Sequence, residues 1–236
     1  PADISALQFG PVASVTELDL GALKGEWRQL AWSVDGEFYL QTAEGDQPGA
    51  RLHHYLLAPG DGVPRSQPSV PDWVAAFWSH KSDRSAPGLP TLEIEVLQGS
   101  DIVQVGTGSA GALDRTGSAA GGGNVMSSAN VERAAERDRR RIVQLRVFGT
   151  VVSEFIDERP QPGRTFGWGP DGTGVLVYSE PESGRLVLLD RAGHKRRLDG
   201  VKDTVLPAFS SDGTRIAFLQ KVGRKRYVLK TVGLVA

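Results

Sequence analysis

The chain has no cysteine, a single methionine (Met126) and no unbroken apolar run of membrane-spanning length. Each absence removes a class of protein. Without cysteine there is no disulfide scaffold, no zinc–thiolate site and no thiol nucleophile. A bilayer-crossing helix needs about 18 consecutive apolar residues, which the sequence never supplies. There is no Gly-x-Ser-x-Gly nucleophile elbow, no charged-then-apolar leader and no Asn-x-Ser/Thr acceptor. The chain opens Pro1-Ala2-Asp3, as removal of an initiator methionine before proline would leave it. The expected compartment is therefore the cytoplasm, with peripheral contact at a membrane; the periplasm is the alternative.

What is plentiful is turn chemistry. The 236 residues include 29 Gly and 14 Pro, while 39% are hydrophobic and 7% aromatic. That apolar share can build a core, which argues against wholesale disorder. A chain of this length fits one all-β domain, a class that often reaches ~200–250 residues. The net charge of −1 conceals an asymmetry: residues 1–100 carry 6 Lys/Arg against 13 Asp/Glu, and residues 101–236 carry 21 against 15. A fold that keeps the two halves apart acquires an acidic and a basic side.

One pattern recurs: small residue, aromatic, small residue, then Asp-Gly. It reads Ala31-Trp32-Ser33-Val34-Asp35-Gly36, Gly167-Trp168-Gly169-Pro170-Asp171-Gly172 and Ala208-Phe209-Ser210-Ser211-Asp212-Gly213. A worn copy runs from Ala76-Phe77-Trp78-Ser79 to Ser82-Asp83. The spacings are 41 residues from Asp171 to Asp212, 48 from Asp35 to Asp83, and 88 from Asp83 to Asp171. Short β-branched and aromatic runs follow each Asp-Gly: Glu37–Gln41, Val175–Tyr178 and Arg215–Leu219. Second runs follow at Leu52–Leu57, Arg185–Leu189 and Tyr227–Val232. Asp-Gly between such runs predicts a hairpin, so each unit reads as an antiparallel meander of three or four strands. A single meander cannot bury both faces, so the units must stack.

These units resemble the repeats of TolB-type β-propellers, relatives of the WD-repeat propellers, in which aromatic-Ser-x-Asp-Gly joins the two inner strands of a blade. The resemblance is clear over residues 164–236, fair over 27–58 and weak over 59–157. It implies a single all-β propeller domain, 1–236, with Val12–Leu20 completing a final blade whose other strands come from the C-terminal part. Spacing predicts five blades and the visible motifs give four; five is preferred. Hairpins are expected from Leu92–Leu97 with Asp101–Val105 and from Ile142–Phe148 with Val151–Ile156. Between them an irregular insertion is expected over 106–141, Gly-rich to Asn124 and helical from Ser128 to Arg141.

Candidate chemistry is sparse. Gly106-Thr107-Gly108-Ser109-Ala110-Gly111 matches a dinucleotide fingerprint, but no helical periodicity follows to hold a pyrophosphate, so a loop is the better reading. His53 and His54 adjoin in a strand and point to opposite faces, His80 and His194 have no partner at ligand spacing, and no metal or cofactor is expected. Asp35, Asp171 and Asp212 precede glycine and read as turn formers. Trp32, Phe77, Trp168 and Phe209 recur at matched positions and read as packing between units.

The basic clusters invite a functional reading. Arg133, Arg137, Arg139, Arg140 and Arg141 outnumber Glu132, Glu136 and Asp138 by two, and Lys195, Arg196, Arg197, Arg224, Lys225 and Arg226 fall near strand starts and turns. They are candidate contacts to an acidic protein or to anionic headgroups, at roughly 1 kcal/mol per cation. Nucleic acid is disfavoured, because no aromatic platform is interleaved with the charge. Propellers of the resembled family mostly act as interaction modules. The expectation is thus a non-catalytic scaffold, a subunit of a larger protein assembly, with an extrinsic subunit on a bacterial membrane complex as one form of it. The alternatives are a metal-dependent propeller hydrolase or lactonase and a ligand-sensing propeller domain. An enzyme of the first kind holds its metal with Asp, Asn, Glu or His, and the only asparagines are Asn124 and Asn130.

Overall fold

A computed structural model describes residues 4–45, 49–74, 92–98, 141–147, 150–156, 166–170, 174–180, 183–190 and 192–235. Its first sheet comprises β2 (Glu26–Trp32), β3 (Phe38–Glu44), β4 (Arg51–Leu57) and β5 (Arg65–Gln67), paired in that order. The second comprises β6 (Leu92–Gln98), β7 (Arg141–Val147) and β8 (Thr150–Ile156), and the third β9 (Phe166–Trp168), β10 (Val175–Ser179), β11 (Leu186–Asp190) and β12 (Lys195–Arg197). The fourth is built from β13 (Thr204–Phe209), β14 (Arg215–Lys221) and β15 (Arg226–Val235), with β1 (Gln8–Asp19) added at the edge beside β15. A short helix, α1 (Leu20–Leu23), leads from β1 towards the first sheet. The chain is all-β, and every strand pairing is antiparallel.

The inner strands carry unbroken apolar runs because successive side chains enter different cores. In β10, Val175 and Val177 face the fourth sheet, whereas Leu176 and Tyr178 face the second. Leu186 and Leu188 of β11 likewise oppose Val187 and Leu189. In β14, Ile216 and Phe218 meet the third sheet while Ala217 and Leu219 meet the first. The period of two that exposes one face of an ordinary antiparallel sheet here buries both. The sheets therefore stack second–third–fourth–first, with Leu145 of β7 buried against the third sheet. On the far face of the first sheet, Ala31 and Tyr39 are covered by Val70, Trp73 and Val74.

The innermost strands converge: β13 lies beside β2 on one side and beside β9 and β10 on the other. Trp32, Trp168 and Phe209 stand at the ends of β2, β9 and β13 and pack into the seams between sheets, as their matched spacing predicts. Phe77 and the Asp171-Gly172 turn lie outside the described residues.

The recurring serine has a role that the Asp-Gly pair alone does not reveal. In the β2–β3 turn the Ser33 Oγ accepts the Glu37 N–H at 2.9 Å. In the β13–β14 turn the Ser210 Oγ accepts the Arg215 N–H at 3.0 Å and donates to Asp212 Oδ1 at 2.6 Å. Asp212 Oδ1 also accepts the Thr214 N–H at 3.0 Å. The Ser210 and Thr214 bonds hold the Asp212 carboxyl below the usual carboxylate range. Gly213 at the tip has φ +69° and abuts Pro170, where an added Cβ would lie 2.8 Å from the ring.

Two local expectations change. The strand β6 pairs residue for residue with β7, from Leu92↔Val147 to Gln98↔Arg141. Arg141 thus opens a strand and does not end a helix: Arg-Ile-Val-Gln-Leu-Arg-Val is a β-branched run with a complete antiparallel partner. Residues 101–105, expected as the mate of 92–97, lie outside the described residues, as does the remainder of the insertion. The edge strand expected at 12–20 runs from Gln8 to Asp19, because the Asp19 carboxylate accepts the Gly21 N–H at 2.8 Å and caps α1.

The third and fourth sheets approach closely at Gly167 of β9. A Cβ built there would lie 2.8 Å from the Pro207 carbonyl oxygen and 3.3 Å from the Ala208 Cα of β13. Both are backbone atoms that cannot swing aside. Gly167→Ala is expected to cost about 1–3 kcal/mol through overpacking. Urea denaturation should show a lowered midpoint at unchanged slope. An unchanged midpoint would mean that the third and fourth sheets are not pressed together at this point.

Candidate functional site

Lys195, Arg196 and Arg197 constitute β12, the outermost strand of the third sheet, and all three are exposed. Arg224 and Lys225 occupy the tip of the β14–β15 hairpin, and Arg226 starts β15. Arg133, Arg137, Arg139 and Arg140 lie outside the described residues, and of Arg141 only its place opposite Gln98 is described.

The six described cations divide by what their side chains touch. Arg197 is paired within the chain, its Nη2 and Nε donating to Glu180 Oε1 at 2.9 and 3.2 Å. Arg226 donates to Glu17 Oε2 of β1 at 2.9 Å, across the junction that joins β1 to β15. Arg196 donates to two backbone carbonyls of the segment ahead of β1: Nε to Ile4 O at 3.4 Å, and Nη2 to Ser5 O. Lys195, Arg224 and Lys225 project from the edge strand and the hairpin tip. The Lys225 carbonyl accepts the Leu20 N–H at 2.9 Å, so the basic tip is fastened to the start of α1.

Three acidic residues that composition alone does not single out organise this surface. Glu180 follows β10 and accepts from Ser183 Oγ at 2.7 Å as well as from Arg197. Partial burial pushes its carboxyl up, but the Ser183 and Arg197 bonds outweigh that, and it sits below the usual carboxylate range. Glu17 anchors Arg226. Asp190, at the end of β11, has a side chain with 0% exposure. It accepts the Ala192 and His194 N–H groups at 2.9 Å each, and its Oδ2 lies 3.0 Å from His194 Nδ1 and accepts the Ile4 N–H at 3.3 Å. The sequence signal for Asp190 is an Asp closing an apolar run three residues before Gly193, which is a turn signature. Nothing in the sequence announces Ile4.

The adjacent histidines face opposite sides of β4, as alternation requires. His53 Nε2 lies 2.6 Å from Glu44 Oε1, and His54 Nδ1 lies 2.7 Å from the Tyr39 hydroxyl. Burial pushes Tyr39 up to about 12, against a smaller opposing effect of its bond from Gln41. The Tyr39 hydroxyl and His54 Nδ1 share one hydrogen bond, and burial lowers the proton affinity of His54. Among the described residues no three His, Asp or Glu side chains gather as a metal site would require.

No family model matches the chain, and no curated protein matches it. Among solved structures, a crystal structure of TolB from Acinetobacter baumannii is similar with a TM-score of 0.32 and 14% identity. That likeness covers 90% of this chain and 44% of that one, so the chain spans under half the length of that protein. A likeness this slight carries no argument; the architecture rests on strand pairing and packing alone.

The Arg197–Glu180 pair gives a pH-dependent test. A carboxyl held below its ordinary range adds stability above that range and loses it as pH falls through the folded-state value. In Arg197→Ala the Glu180 carboxyl should titrate higher, nearer the ordinary range, by NMR. The stability cost should be below about 1 kcal/mol near pH 7, because the pair is partly exposed, and should vanish near pH 3. A Glu180 titration indifferent to the substitution would contradict the pairing.

Proposed function

We propose that the chain is a non-catalytic β-propeller scaffold, a subunit that docks on partner proteins through its exposed cations. Four stacked meanders, three of whose first strands (β2, β9 and β13) converge, support the propeller reading. In the fourth, β1 supplies the outermost strand, which removes an open edge that β15 would otherwise present. Among the described residues the sheets number four. Four blades are the reading over the described residues, and repeat spacing over the whole sequence favours five.

The observation that carries the interaction reading is the division among the cations. Arg196, Arg197 and Arg226 are engaged within the chain, whereas Lys195, Arg224 and Lys225 stand on an edge strand and a hairpin tip. Cations placed on projecting connections meet an acidic partner without breaking the fold. They steer its approach and weaken with salt. An extrinsic subunit on a membrane complex, at a cytoplasmic face, is the assembly that suits such a surface.

The test is capture of partners from the native host at two salt concentrations, with the full chain as bait. The charge-reversal variant Lys195→Glu/Arg224→Glu/Lys225→Glu should lose partner recovery about tenfold at low salt and less at high salt. Its thermal stability should match that of the parent. Recovery unaffected by the reversal would overturn docking through these cations. A stoichiometric divalent ion in the purified protein would favour the propeller-hydrolase reading instead.

A further inference from the structure

The segment ahead of β1 is held in a way that the stacked sheets alone do not require. Ile4 has 0% exposure and fills the crevice between the third and fourth sheets, among Val175, Leu188, Phe209 and Phe218. Leu7 packs against the same cluster from its edge. The backbone around Ile4 is read from both sides. Its N–H donates to the buried Asp190 carboxylate, and its carbonyl and that of Ser5 accept from Arg196. The Leu7 N–H closes a turn on the Ile4 carbonyl at 3.1 Å.

A carboxylate removed from water is costly unless every lone pair is used. Asp190 satisfies part of its demand within its own turn, through Ala192 and His194, and directs Oδ2 at the amide of a residue 186 positions away. An aliphatic side chain in an apolar slot, an amide held by a buried anion and carbonyls held by a guanidinium together make a peptide-recognition site.

We propose that the crevice between the third and fourth sheets is an acceptor site for a short peptide with two aliphatic residues flanking small ones. It is filled in cis by Ile4-Ser5-Ala6-Leu7 and accepts the same segment from a second copy of the chain when the cis segment is displaced. This site is separate from Lys195, Arg224 and Lys225, and the inference does not rest on the docking role proposed for them. Recognition reads an aliphatic anchor and the backbone around it, so the anchor sets specificity while Asp190 and Arg196 set register.

The experiment uses the full chain with residues 4–7 replaced by Gly-Ser-Gly-Ser, its fold checked by circular dichroism. The probe is an acetylated Asp-Ile-Ser-Ala-Leu peptide followed by NMR. Saturable shifts are expected at the amides of Asp190, His194 and Arg196. A peptide with glycine in place of isoleucine should bind at least about tenfold more weakly. The parent chain, whose crevice is occupied, should show no shifts at these amides under the same conditions. No saturation, equal binding of the glycine peptide, or equal shifts in the parent chain would each overturn the proposal. Should the replaced chain fail to fold, hydrogen exchange on the parent and on Arg196→Gln decides the matter. The Ile4 amide should exchange about tenfold faster in the variant, while β14 amides stay unchanged. Equal Ile4 exchange in the two proteins would overturn the recognition role of Arg196 and the proposal with it.

Discussion

Everything in this molecule depends on sheets that are apolar on both faces. A strand such as Val175–Ser179 sends Val175 and Val177 into one core and Leu176 and Tyr178 into another. A sheet of this kind leaves apolar surface in water when only one face is covered, and the third and fourth sheets each have a neighbour on either side. The convergence of β9, β13 and β2 follows from that demand, since stacked and twisted sheets approach most closely at their first strands. Gly167 stands where the approach leaves no room for a side chain. Hydrogen bonds reinforce the same seam: Thr204 at the start of β13 donates both its N–H and its hydroxyl to the Gly184 carbonyl, at 2.7 and 2.6 Å.

The segment before the first sheet is bound up with the last. Residues 8–19 add a strand beside β15, Glu17 takes Arg226, and Ile4 fills the crevice towards the third sheet. The first residues described and the last strands thus share two cores. Such long-range contacts make folding slow to nucleate and highly cooperative once complete. They also explain why half the basic residues on this side of the molecule are committed internally. Arg196 and Arg226 fasten the segment ahead of the first sheet to the third and fourth sheets, and the docking proposed above falls to their neighbours.

Much of the fold was legible in the sequence because its signals are local. Asp-Gly preceded by a serine and an aromatic fixes a hairpin, and the apolar runs on either side give strands within two or three residues of those observed. The strand expected to join the C-terminal run is β1, found beside β15. The signals fail where pairing is non-local. The pairing of β6 with β7, from beyond residue 140, is a match that no short-range pattern encodes; the mate expected for Leu92–Leu97 at 101–105 lies outside the described residues. Of the site, the basic residues could be found by counting. The division between engaged and projecting cations could not, because Glu180, Glu17 and the carbonyls of Ile4 and Ser5 are brought to them by tertiary packing alone. Asp190 carries the local signature of a turn former, and it is one, but its second oxygen serves a residue at the opposite end of the sequence.

The propeller proposed above requires that the stack close on itself, with the far face of the first sheet turned towards the second. The absence of native cysteine makes this directly measurable. Cysteines placed at the exposed Leu52 of β4 and Val151 of β8 can be spin-labelled in pairs. Closure makes the first and second sheets neighbours and predicts a short Leu52–Val151 separation, on the order of one sheet spacing of about 10 Å plus the label arms. An open row places the first and second sheets at opposite ends, three spacings or about 30 Å apart before label arms. That longer distance would contradict the ring.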